Sequence, residues 1–191
     1  MKCNNPIDRN RSPLLIKVTL TFFLLFTLLV FEPEIFSPTV HAASIVTIKE
    51  GDVWRYFKGT EDPPYKWNHI GFDDAVWFSG RSGFGYGDRH YNTALDDMQT
   101  NYTGIYVRRE FAVSNPAAVT GMTLSVVCEG AFKAYLNGIE VIRSDIQINE
   151  QLDISGFAHE LLPGINVLAI QCFNADMNSS GFLFIPSFRI F

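Results

Sequence analysis

The chain has 191 residues, of which 47% are hydrophobic and 18% charged, and its net charge is −5. That balance supports a packed core, excludes a disordered chain, and suits one domain or two small ones. An acidic chain with no basic stripe is not built to bind nucleic acid, and no repeat period marks a solenoid.

The N-terminus separates from the rest. Lys2, Arg9, Arg11 and Lys17 form a basic start, and Val18–Phe31 follows as 14 residues without a charge. Glu32 to His41 then turns polar, with Pro33 and Pro38, and ends in Val40-His41-Ala42. A β-branched residue at −3 and alanine at −1 form a signal-peptidase site, so residues 1–42 read as a signal peptide cleaved between Ala42 and Ala43. The apolar run is short for a bilayer-spanning helix, which needs about 20 residues. The alternative is an uncleaved membrane anchor. After cleavage, residues 43–191 keep 11 of 15 Lys and Arg and 17 of 20 Asp and Glu, a charge of −6. The expected product is a secreted protein without a membrane span, in a periplasm, at a cell surface or outside the cell.

Cleavage also removes Cys3, which precedes the apolar run and so is not a lipoprotein's lipid-carrying cysteine. Cys128 and Cys172 remain, in phase with Leu124 and Val126 and with Leu168 and Ile170. An exported pair is a disulfide candidate, with two reduced core cysteines as the alternative. Neither has a histidine at zinc-ligand spacing.

Alternation of apolar and polar residues predicts strands along most of the remaining chain. Val53–Lys58 sets Trp54 and Tyr56 against Val53, Arg55 and Phe57. Ile105, Val107, Phe111 and Val113 share one face, opposite Tyr106, Arg108 and Glu110. Arg109 interrupts the apolar face, so it is expected to be paired or near an edge. Met122–Cys128 alternates with period two, and Phe132, Ala134 and Leu136 lead into Asn137-Gly138. That dipeptide favours a two-residue hairpin turn because both residues tolerate positive φ. Ile139–Ile142 returns, and Ile146, Ile148, Leu152 and Ile154 continue the period. Ser155–Leu162 has room for one helical turn, Pro163-Gly164 marks a turn, and Ile165–Phe173 and Phe182–Phe191 are apolar strands. The segment from Thr60 to Gly104 is rich in Gly, Asp, Tyr and Pro, alternates little, and reads as a long functional loop. The fold class is all-β, a two-sheet antiparallel β-sandwich, and a jelly roll fits the length.

Five segments, in order, carry a family resemblance. Trp67-Asn-His-Ile-Gly-Phe-Asp-Asp-Ala-Val-Trp77 resembles the W-x(4)-F-D-D-S-x-W signature of galactose-binding-like jelly-roll domains. Gly83-Phe-Gly-Tyr-Gly-Asp88 follows it, as in many bacterial secreted members. Asn101–Phe111, Ala134-Tyr-Leu-Asn-Gly138 and Leu162-Pro-Gly-Ile-Asn-Val-Leu-Ala169 resemble later strands and turns of the same family. The resemblance spans about Val53 to Phe191 and implies a galactose-binding-domain-like sandwich. Sister domains serve as carbohydrate-binding modules, as accessory domains of secreted enzymes and as adhesion modules, so it names a fold and not a ligand. Most motif residues also have a structural role. Trp54, Trp67 and Trp77 read as core or loop anchors rather than sugar platforms. Asp73 and Asp74 cap a turn, and Asn166 ties a loop to the sheet.

Site chemistry concentrates in the acidic loop. Asp88, Asn92, Asp96 and Asp97 lie within ten residues and form a candidate calcium donor set, since calcium takes about six to eight oxygens. The resemblance adds that jelly rolls of this kind often carry a structural calcium. A solvated acidic loop is the alternative. Tyr86, Tyr91 and Tyr102 are candidate platforms for the C–H face of a sugar, with Arg89 and His90 as hydroxyl partners. The competing role for these tyrosines is packing the loop onto the sandwich.

Catalysis finds little support, and a catalytic subunit with an unrecognised site is the third alternative. No serine sits in a G-x-S-x-G elbow, the histidines form no i, i+4 pair, and Gly83–Gly87 lacks the lysine of a phosphate loop. Asn101-Tyr-Thr103 and Asn178-Ser-Ser180 are glycosylation sequons. The expected function is a secreted, non-catalytic carbohydrate-binding module, stabilised by calcium, with a glycan as partner. The alternative is a cell-surface structural or interaction domain with a protein partner and no sugar binding.

Overall fold

A computed structural model describes residues 46–191. The expected signal segment and its expected cleavage site between Ala42 and Ala43 lie outside the described residues. Twelve strands run in chain order: β1 (Val46–Ile48), β2 (Val53–Lys58), β3 (Phe78–Arg81), β4 (Phe84–Tyr86), β5 (Thr93–Ala94), β6 (Gly104–Val113), β7 (Met122–Cys128), β8 (Phe132–Leu136), β9 (Ile139–Ser144), β10 (Ile148–Asp153), β11 (Gly164–Phe173) and β12 (Phe182–Ile190). They form the two-sheet, antiparallel sandwich expected from the alternation. One sheet has the order β10-β7-β12-β4-β5, with β1 also against β12; the second has the order β3-β2-β6-β11-β8-β9. The short β4–β5 pair is parallel.

Each sheet follows from its period-two pattern. In the first, Met122, Leu124, Val126 and Cys128 are buried and the residues between them half-exposed. Phe182, Phe184, Phe188 and Ile190 of β12 continue that inner face. In the second, Ile105 and Val107 of β6, Leu168, Ile170 and Cys172 of β11, and Phe132, Ala134 and Leu136 of β8 share the inner face through their register. The rings of Phe111 and Phe188 meet edge-on across the sandwich, 5.4 Å between centroids. A disulfide joins Cys128 on β7 to Cys172 on β11, so it links the two sheets. Asn137 and Gly138 both have positive φ, the geometry a two-residue hairpin needs. Pro186 stands where the flank of β12 passes from β4 to β1, a gap in the ladder that suits a residue without an N–H.

A second apolar cluster lies on the outer face of the second sheet. Residues 60–77 fold over that face, and Trp67 and Trp77 pack with Tyr106, Val167 and Ala169. Trp67 stacks on Trp77 at 6.0 Å and meets Tyr106 edge-on at 5.2 Å. Beneath the same segment Arg108 is only 1% exposed. Its guanidinium donates to the Asp74 carboxylate, to the His69 carbonyl at 3.1 Å and to the Phe72 carbonyl at 3.3 Å. A buried charge is tolerable only when paired and hydrogen-bonded, and the planar arginine fork satisfies three acceptors at once. Trp54 is in the main core.

Three expectations change. The Thr60–Gly104 segment is not one long loop, since it contains β3, β4 and β5, which pair into the two sheets. Ile146 is exposed, and the strand there begins at Ile148. The helical turn is a 3-10 turn over Ser155–Glu160. Arg109, the residue that interrupts the apolar face, donates to the Val53 carbonyl and pairs with Asp52 at 3.6 Å.

Candidate functional site

Four connections converge at one end of the sandwich: the β4–β5 connection after Tyr86, the β7–β8 turn, the β9–β10 connection that carries Gln147, and the β11–β12 connection. They enclose a cleft of about 500 Å³ lined by Asp88, Arg89, Glu129, Gln147, Asn174 and Ser180, among others. Two glycines permit this convergence. A Cβ on Gly87 would lie 2.4 Å from the Ser180 carbonyl oxygen, and Gly87 has φ +80°. A Cβ on Gly130 would lie 2.3 Å from the Phe173 carbonyl oxygen. Any larger residue would push the walls apart.

A buried network braces the floor. Asn174, 7% exposed, donates through Nδ2 to the Tyr86 hydroxyl at 3.0 Å, and its Oδ1 accepts the Ala175 N–H at 2.8 Å. The Tyr86 hydroxyl donates in turn to the Ser179 carbonyl at 2.7 Å. Burial pushes the Tyr86 phenol above its ordinary value against the Asn174 hydrogen bond, so the group stays a neutral donor. The disulfide fixes the start of both walls. Cys128 directly precedes Glu129, and Cys172 lies two residues before Asn174. Arg89 crosses the cleft to Glu129, Nη2 to Oε1 2.7 Å. Asp88, Gln147 and Ser180 are exposed, and their side chains make no hydrogen bond to other described residues.

The sequence-derived site residues divide. Arg89 and Asp88 line this cleft. His90 is exposed and Tyr91 half-buried on the same connection. Tyr86 and Tyr102 are 4% and 2% exposed, so their rings are packing elements and a sugar face cannot reach them. The calcium donor set does not assemble. Asn92 donates its amide to the Ser82 carbonyl at 2.7 Å. Asp97 is held by Lys58 at 2.7 Å and accepts the Tyr102 hydroxyl at 2.9 Å, while Asp96 is exposed. Among the described residues no three His, Cys, Asp or Glu side chains are placed to hold a metal ion. Four side chains, two of them already engaged elsewhere, do not converge as an ion that needs about six to eight ligands requires.

Sequence reasoning missed Glu129, Gln147, Asn174 and Ser180, which come from connections far from the acidic loop. It also missed a second cleft, of about 520 Å³, beside β2 and β6, where Arg55 and Arg108 meet Asp74. There Asp74 pairs with Arg55 at 3.5 Å as well as with Arg108. The Asp74 carboxylate is shared by two guanidiniums and fastens the covering segment, while in the end cleft Asp88, Gln147 and Ser180 keep unused hydrogen-bonding capacity. Among the described residues no helix is long and apolar enough to cross a membrane.

No protein-family model matches the chain, and no curated protein matches it. Solved structures do match its fold. Bacteroides uniformis β-glucuronidase 2, in a structure with cyclophellitol-6-carboxylate aziridine covalently bound, superimposes with a TM-score of 0.58 at 16% identity, over 76% of this chain and 18% of that one. A β-glucuronidase from an uncultured Clostridium sp. gives 0.51 at 17% identity, over 78% of this chain and 29% of that one. A Ruminococcus gnavus β-glucuronidase gives 0.51 at 12% identity, over 76% and 29%. At these identities the likeness is one of fold, and the chain spans less than a third of each of these enzymes.

Proposed function

We propose that this protein is a secreted, non-catalytic carbohydrate-binding domain of the galactose-binding-like kind, and that the end cleft is its glycan site. The observation that carries this reading is the set of hydrogen-bonding side chains left unengaged in that cleft: Asp88, Gln147 and Ser180, beside Arg89. Sugar hydroxyls need donors and acceptors already fixed in place, and the braced floor provides rigidity that lowers the entropy lost on binding. The fold neighbours among glycoside-processing enzymes are consistent with it. With no aromatic ring in the lining, binding would rest on polar contacts to one terminal sugar rather than on stacking along a chain. The donor set read from the acidic loop does not converge, so binding is expected without calcium.

A glycan array in the presence and absence of chelator tests this, with Ser180→Trp as the variant that fills the cleft. Binding that survives chelation and is lost in the variant, at unchanged melting temperature, is the expected result. Binding unaffected by Ser180→Trp would refute the assignment of the cleft. A second reading, an interaction domain for a surface protein, draws on Tyr65 and Val76 of the segment covering the second sheet, 87% and 91% exposed. Absence of any glycan binding would favour it.

A further inference from the structure

We infer that the end cleft selects a terminal amino sugar with a free, protonated amine and discriminates against uronic acids. This inference rests on the glycan-site reading above and specifies its ligand. The lining carries two carboxylates, Asp88 and Glu129, against one guanidinium, Arg89. Arg89 is already bound to Glu129 at 2.7 Å, and that pair cancels in charge. The carboxylate of Asp88 is exposed in the lining and forms no ion pair with a described residue. Asp176 stands on the β11–β12 connection that forms another wall.

A ligand carboxylate entering here would meet like charge and would have to displace Glu129 from Arg89. A ligand ammonium would meet an unpaired carboxylate, while the neighbouring hydroxyls of the sugar reach Gln147 and Ser180. Specificity between charged ligands is a difference in affinity, and an uncompensated like charge is an effective way to reject one of them. Asp88 is exposed, so the attraction is that of a solvent-screened pair, worth about fivefold in affinity. The cleft thus differs in charge preference from a site built for a uronide.

Titration calorimetry at low salt, below the amine's pKa, tests it with glucosamine, N-acetylglucosamine, glucose and glucuronate. N-acetylglucosamine keeps the substituent and removes its charge. The expected order is glucosamine about fivefold tighter than the two neutral sugars, with glucuronate weakest, and the spread should shrink as salt rises. Asp88→Asn should bring the ratio of glucosamine to glucose affinity close to one. Equal affinities for glucosamine and glucose, or tighter binding of glucuronate, would overturn the charge preference and leave the glycan-site reading intact. No binding of any of the four, with the array also blank, would remove the glycan-site reading itself.

Discussion

Removing the Cys128–Cys172 bridge should cost about 4 kcal/mol of stability, and the figure follows from its place in the chain. The two cysteines are 44 residues apart. Cross-linking a loop of that size removes about 13 cal/mol/K from the unfolded ensemble, or about 4 kcal/mol at room temperature. Both cysteines are fully buried, so serine would leave an unsatisfied hydroxyl in the core. Cys128→Ala with Cys172→Ala is therefore the cleaner perturbation, though it leaves a small void at each position. Protein unfolded in reductant and refolded reduced loses the cross-link without the voids, so the difference between the two isolates the packing contribution.

Urea unfolding followed by tryptophan fluorescence reads the effect, since Trp54, Trp67 and Trp77 are all buried. The transition midpoint should fall by about 2 M, and the m-value should rise because the unlinked denatured chain exposes more surface. A loss below about 1 kcal/mol with an unchanged m-value would refute the reasoning, because it would mean that the unfolded chain is not restrained by the bridge. The bridge also fixes the origin of both cleft walls. On the proposed function, the reduced form, even where folded, should therefore bind glycan more weakly.

Trp67→Ala should cost about 3–5 kcal/mol in the same unfolding assay, because the indole holds Trp77, Tyr106 and Tyr135 together on the outer face of the second sheet; an unchanged midpoint would refute that packing role. Burial opposes ionisation of Asp97, but hydrogen bonds from Lys58 and Tyr102 together hold its carboxyl below the ordinary value of 3.8. Its contribution is therefore present above that ordinary value and is lost as pH falls through the lower folded value. Asp97→Asn should accordingly be less stable than the parent at neutral pH, with the gap closing in acid; a gap independent of pH would refute the ionic origin.

The long, one-sided strands were legible because a face buried against the opposite sheet leaves a period-two trace. Met122–Cys128, Phe132–Leu136 and the Asn137-Gly138 turn show it directly. The strands between Phe78 and Ala94 were not legible, for two reasons. They are two to four residues long, too short to display a period. In β4 all three residues, Phe84, Gly85 and Tyr86, are buried, so no polar face alternates with the apolar one. Arg108 shows a different limit. Alternation placed it on the face opposite Val107, which is correct, but only the segment carrying Asp74 turns that face into an interior. Tyr86 owes its burial to Asn174 and Ser179, about 90 residues further on, and no local pattern can report such a partner. The cleft was half legible, through Asp88 and Arg89, because its other wall comes from the opposite end of the sequence.

This division between structural and recognition residues explains why a resemblance can be strong for fold and silent for ligand. The signature residues Trp67, Phe72, Asp74 and Trp77 are engaged in covering the second sheet and neutralising Arg108. Removing one partner of that ion pair would leave the other charge buried and unpaired, a defect of about 3–5 kcal/mol, so these positions answer to folding. Asp88, Gln147 and Ser180 carry no such duty. They are exposed, the connections of Asp88 and Ser180 are held in place by Gly87 and the Asn174 network, and all three can change without disturbing the sandwich. A scaffold that holds the connections around a cleft in place can exchange the exposed groups on them at little energetic cost. The proposed specificity is therefore to be read from the charge and hydrogen-bonding pattern of those few exposed residues, in which Asp88 supplies the charge.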